Sequence, residues 1–204
     1  MKISRTKKMV ECAVLLAIAT VLSLIKIVDL PYGGSVTIAS MLPVVIISYR
    51  HGLGYGLISG TLYGLIQQLL GLNTLSYVTT WQSILAVILL DYVVAFMVIG
   101  LGGIFRKSVP NQAAAMTLGS MLVCVLRYIC HVISGCTVWA GLSIPTSAAF
   151  VYSLAYNASY MIPETIVLAV AAYYLGSSLD FRVEHPVRMI REKKECRIKI
   201  LLQP

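Results

Sequence analysis

Charge is what this chain has least of. Asp, Glu, Lys and Arg make up 12% of its 204 residues, there are four Phe and two Trp, and the mean hydropathy is +0.85. So little charge excludes an ordinary soluble domain, where about a quarter of residues are charged. The apolar runs are long and unbroken by period-two alternation, which argues against a membrane β-barrel. Catalytic signatures are missing too: there is no HExxH, no GxSxG and no glycine-rich phosphate loop ending in Lys-Ser/Thr. The five cysteines, at 12, 124, 130, 136 and 196, form no CxxC pair and read as small hydrophobes. No enzyme activity, cofactor or metal is expected.

What is present is apolar length. A bilayer core about 30 Å thick needs roughly 20 apolar residues per helix. Apolar stretches cover 9–28, 37–49, 52–71, 81–105, 112–138 and 147–175. The expected fold is all-α, an integral membrane bundle of six transmembrane helices. The second stretch is short, and Pro43 with the glycines before it suggests a tilted or partly broken helix beside a cavity.

The net charge of +8 marks topology, not nucleic-acid binding. Cations gather at the N-terminus (Lys2, Arg5, Lys7, Lys8), at Arg50-His51, at Arg106-Lys107 and after Leu179, whereas the connections 29–36, 72–80 and 139–146 hold no Lys or Arg. The positive-inside rule then places both termini in the cytoplasm of a multi-pass cell-membrane protein. The chain divides into a basic cytoplasmic N-terminus (1–8), a six-helix transmembrane substrate-binding domain (9–176) and a basic cytoplasmic tail (177–204) lying on anionic headgroups of the lipid bilayer.

Gly52, Gly56, Gly60 and Gly64 recur every fourth residue in the third stretch, and Ala13 and Ala17 have the same spacing in the first. Small residues in line let helices approach closely in lipid, either within the bundle or against another membrane protein.

Ionisable groups at bilayer depth mark function unless paired. They are Asp91, Arg127, His131 and Glu164, while Glu11 and Lys26 lie near enough to the interfaces to snorkel. Arg127, His131, Gly135 and Trp139 are spaced by four and share a helix face, as do Tyr152, Tyr156 and Tyr160, with Asn157 adjoining. Two uses stay open for Arg127: a structural pair with Asp91, or a ligand contact. One carboxylate, an imidazole, an amide and several aromatic rings suit a flat heteroaromatic cation.

The segments "LDYVVAF" (90–96), "RYICHVISGCTVW" (127–139) and "VYSLAYNASYMIPE" (151–164) resemble the thiamine-specific substrate-capture subunit, or S component, of energy-coupling factor transporters. The resemblance implies six helices around an outward-facing thiamine pocket and uptake that depends on a transmembrane coupling subunit and two ATP-binding subunits. It implies a pocket acid at Asp91 with Tyr92 beside it, stacking residues His131 and Trp139, hydrogen-bonding residues Tyr152 and Asn157, and a basic residue at Arg127. Tyr63 and Tyr32 stand where relatives carry tryptophan, and Ala13 and Ala17 match the docking face for the coupling subunit. A stand-alone proton-coupled carrier, titrating through Asp91, His131 or Glu164, and an S component for another vitamin are the alternatives.

Overall fold

The computed structural model describes residues 4–30, 33–78, 80–139, 146–183 and 187–188. Tyr32, Cys196 and most of the basic tail (184–186 and 189–204) lie outside the described residues. Among those described, six helical segments follow one another: α1 (Arg5–Leu24), α2 (Leu42–His51), α3 (Leu53–Leu70), α4 (Trp81–Arg106), α5 (Gln112–Thr137) and α6 (Ser147–Ser178). Ser4, Thr80, Asn111 and Thr146 cap α1, α4, α5 and α6, each side chain accepting from a backbone N–H three residues on.

The expected all-α fold needs one correction. Two small antiparallel pairs are present, β1 (Lys26–Asp29) with β2 (Ser35–Thr37), and β3 (Leu179–Asp180) with β4 (Val187–Arg188). The first pair shortens two expected helices. The apolar run from residue 9 leaves the helix at Leu24, and the run from 37 becomes helical only at Leu42. Both ends had read as helix because Ile25, Ile27 and Val28 on one side, and Ile38 and Ala39 on the other, continue the neighbouring apolar runs.

The second stretch is not broken at Pro43. The proline sits in the first turn of α2, where its missing N–H removes no helical bond. Ten residues reach about 15 Å, half of a bilayer core. Leu42 to Arg50 are all buried, so α2 is a central strut wrapped by the other helices. Gly52 then turns the chain into α3 at φ +100°, a conformation that L side chains rarely adopt.

Three helices, α4, α5 and α6, are long and apolar enough to cross a membrane. The glycines of α3 settle the choice of packing for most of the stripe. A Cβ at Gly56, Gly60 or Gly64 would strike the α4 backbone at Gly100, Phe96 and Tyr92, so three of the four let α3 seat directly on α4. α5 and α6 pack along their lengths in the same way, with Gly135 against Ser153 and Gly176 against Ala113.

At the end of the bundle that carries Glu11 and Arg50, a polar clasp ties distant segments together. Arg50 Nε donates to Glu11 Oε2 at 2.8 Å and its Nη1 to the Val183 carbonyl at 2.7 Å, while Arg106 donates to the Arg50 carbonyl at 2.9 Å. Glu11 finds its cation inside the chain.

Candidate functional site

A cavity of about 530 Å³ opens between α3, α4, α5, α6 and the β1–β2 hairpin. It is lined by Tyr63, Asp91, Tyr92, Arg127, His131, Trp139, Tyr152 and Asn157, every described residue that the sequence had singled out for the site. Gathering these residues from four helices is what the spacing of four along α5 and α6 had required.

Asp91 is the hub. It lies in a stretch of α4, Ile88–Val94, that is wound as a π-helix, a local widening that often accompanies a functional site. His131 Nδ1 is 2.8 Å from its Oδ1. Ser134 Oγ and Trp139 Nε1 donate to Oδ2 at 2.5 and 3.1 Å. Both carboxylate oxygens of Asp91 are therefore engaged, by His131 on one side and by Ser134 and Trp139 on the other. Trp139 reaches Asp91 because the last turn of α5 is loose: its backbone N–H bonds to the carbonyl of Ser134, five residues back.

Arg127 does not pair with Asp91, and that expectation is corrected. Its guanidinium lies 4.2 Å from the centre of the Phe96 ring, with Nη1 3.0 Å from Met41 Sδ. One turn further from the mouth than His131, it stacks on the aromatic wall while three other donors occupy the carboxylate. Arg127 Nε and His131 Nε2 are buried without hydrogen-bond partners.

The wall on α6 is more committed to the protein than the sequence suggested. Asn157 Nδ2 donates to the carbonyls of Ser153 (2.9 Å) and His131 (3.3 Å), and its Oδ1 accepts from Tyr160 at 2.6 Å. The amide thereby fastens α6 to α5, and its burial removes any reading of Asn157-Ala158-Ser159 as a surface sequon. Tyr152 is largely exposed at the mouth and stacks on Tyr156, their centroids 6.1 Å apart. Tyr63 is fully buried, donates to the Ala19 carbonyl at 3.3 Å and meets Phe96 edge-on.

Four contributors escaped the sequence reading: Ser134, Phe96, Thr74 and Gln67. Thr74 hydrogen-bonds Tyr92 at 3.0 Å, and Gln67, one turn after Tyr63, donates to Ser23 at 2.8 Å. Gln67 was discoverable as an amide on the tyrosine's face; the other three carry no signal in spacing alone.

Two carboxylates, Asp91 and Glu164, and one guanidinium, Arg127, line the interior, while Lys26 at the rim is already paired with Asp29 at 3.1 Å. Aromatic rings border these groups. Among the described residues no group of three or more His, Cys, Asp or Glu is placed to hold a metal ion.

The family profile described as thiamine transporter protein (Thia_YuaJ) matches residues 9–181. The chain belongs to this family. The thiamine transporter ThiT of Bacillus subtilis (strain 168) is 36% identical over 174 residues, spanning 80% of this chain and 86% of that protein. A solved structure of ThiT from Listeria monocytogenes superimposes with a TM-score of 0.67 at 24% identity, covering 84% of this chain and 94% of that one. As a member of the thiamine transporter family the protein is a transporter rather than an enzyme, and its apolar helices make it a membrane protein. The family match runs from early in α1 to Phe181 and includes every cavity-lining element.

Proposed function

We propose that the chain is a high-affinity thiamine-capture subunit, taking the vitamin from outside the cell membrane and passing it inward with an ATP-driven energy-coupling factor module. In this reading α1 to α6 are the six membrane helices, α2 crossing the core only together with the chain that precedes it, and both termini are cytoplasmic. Thiamine is a permanently cationic thiazolium joined to an aminopyrimidine. The observation that carries the reading is the Asp91 carboxylate set among aromatic rings in the cavity. His131 and Trp139 supply flat faces beside the anion, Tyr152 guards the mouth, Tyr92 and Tyr63 complete the aromatic wall, and Asn157 holds the wall together. Arg127 sits one turn deeper and presents donors to a neutral or anionic end of the ligand.

Ala13 and Ala17 belong to the second half of the reading. Both are exposed on α1, whereas Cys12 and Ala19 point into the bundle. Their face, continued by Met9, Val10 and Val14, is free to receive a helix of the transmembrane coupling subunit, to which the two ATP-binding subunits attach.

Titrating the purified protein with thiamine while following tryptophan fluorescence tests the capture half. Trp139 touches Asp91 and Trp81 is 70% exposed, so saturable quenching that survives Trp81→Phe and disappears in Trp139→Phe is the expected result. No binding of thiamine, with binding of another vitamin, overturns the ligand.

The Asp91–His131 contact also favours a second reading, a stand-alone proton-coupled carrier. Thiamine accumulation in proteoliposomes holding this chain alone, driven by a pH gradient, would establish it; accumulation that needs the ATP-binding subunits rejects it.

A further inference from the structure

Glu164 is the cavity's other carboxylate, 2% exposed, and the binding role proposed above does not use it. It sits on α6 directly after Pro163. Both its oxygens are occupied by one residue of β2: the Thr37 backbone N–H donates to Oε2 at 2.6 Å and the Thr37 hydroxyl to Oε1 at 2.7 Å. The Ser40 hydroxyl lies 2.8 Å from that of Thr37 and completes the chain of donors.

Thr37 ends β2 and is in register with Lys26 of β1, so this carboxylate fastens the root of the hairpin to α6. Above the root, the Gly34 N–H donates to the Tyr156 hydroxyl at 3.3 Å, and Gly33 lies against Thr74. Gly33, Gly34, Ser35 and Thr37 all line the cavity. The hairpin is thus one wall of the binding space, and most of its strands' own backbone bonds are internal. Glu164 ties it to the helices through both carboxyl oxygens, each bonded to Thr37.

We propose that Glu164 is a positioning residue: by holding Thr37 it keeps the β1–β2 hairpin against α6 and sets how long a ligand stays in the cavity, without meeting the ligand's charge itself. The proposal rests on the reading of this cavity as the ligand site. Its geometry separates shape from charge. In Glu164→Gln the amide oxygen accepts from the Thr37 N–H and the amide nitrogen donates to the Thr37 oxygen, whose proton turns to Ser40. The tie survives and the charge is lost. Glu164→Ala loses both bonds, and Thr37→Val loses the hydroxyl bond only.

The test pairs two measurements on the purified full chain: stopped-flow dissociation of thiamine, and hydrogen–deuterium exchange of residues 33–40 without ligand. Expected are wild-type dissociation and exchange in Glu164→Gln, and dissociation about 10- to 100-fold faster in Glu164→Ala with deprotection of 33–40, as for the loss of two buried hydrogen bonds. Thr37→Val, which removes the hydroxyl's bonds to Glu164 and Ser40 but keeps the backbone N–H bond and the volume, gives a smaller acceleration and keeps the test decisive if Glu164→Ala does not fold. Dissociation as fast in Glu164→Gln as in Glu164→Ala overturns the proposal, because the charge would then be the ligand contact. Equal protection of 33–40 in all variants overturns it as well. If the wild-type chain binds no thiamine, the ligand reading fails and the exchange measurement alone decides the tie.

Discussion

His131 Nδ1 lies 2.8 Å from Asp91 Oδ1, and that contact joins α5 to α4 across the cavity. It fixes the tautomer of the imidazole and, with Ser134 and Trp139, holds the carboxylate in one orientation. An anion oriented in advance gives a cation a site that need not reorganise on binding, which lowers the ordering cost of association. The aspartate's short arm is compensated by neighbours that come to it.

Ser134 is the least visible of those neighbours and tests the idea of orientation. Removing its hydroxyl in Ser134→Ala leaves Oδ2 with the indole donor only, a loss of about 1–3 kcal/mol of hydrogen bonding to a charged group. Calorimetric titration is expected to give thiamine binding weaker by roughly one order of magnitude with the same stoichiometry. Unchanged affinity would mean that His131 and Trp139 suffice to orient the carboxylate.

Phe96 carries the guanidinium of Arg127 on its face and meets the Tyr63 ring edge-on, their centroids 5.3 Å apart. Phe96→Leu is expected to destabilise the protein by about 1–3 kcal/mol, through loss of the cation–π contact and the aromatic pair. In a double-mutant cycle with Arg127→Met, measured by thermal unfolding in detergent, the two changes should couple, since they remove the same contact. Strict additivity would show that the stack contributes nothing.

The glycine stripe makes a sharper distinction. A Cβ at Gly60 would lie 2.5 Å from the Phe96 carbonyl oxygen, whereas at Gly54 it would meet nothing within 4 Å. Gly60→Ala should push α3 from α4 and cost about 1–3 kcal/mol in stability, lowering thiamine affinity as Asp91 and Tyr92 shift. Gly54→Ala should be neutral or stabilising by up to about 1 kcal/mol through helix propensity. Equal melting temperatures for the two variants would contradict the packing described for α3 on α4.

The sequence foretold those features that depend on periodicity. Apolar length located α3, α4, α5 and α6 to within a few residues, and spacing by four put His131, Trp139, Tyr152 and Asn157 toward one cavity. It could not foretell contacts made by pieces far apart in the chain. The Glu164 to Thr37 tie spans 127 positions, and Arg127 chose the Phe96 ring because Asp91 was already filled by side chains on its own helix face and one beyond it. Ser134 was missed for a local reason: it stands three residues after His131, off the run of fours, and comes to Asp91 where α4 is wound as a π-helix. The β1–β2 hairpin was hidden because Ile27 and Val28 continue the apolar run of α1 across Lys26.

The central claim is that the cavity holds a cation through Asp91, and calorimetric titration of thiamine into the wild type and Asp91→Asn, at matched melting temperatures, tests it most directly. The amide keeps the side chain's shape and removes its charge. The account predicts binding weaker by at least about 10-fold, the equivalent of 1.4 kcal/mol, in the variant. Equal affinity in the two proteins would contradict it.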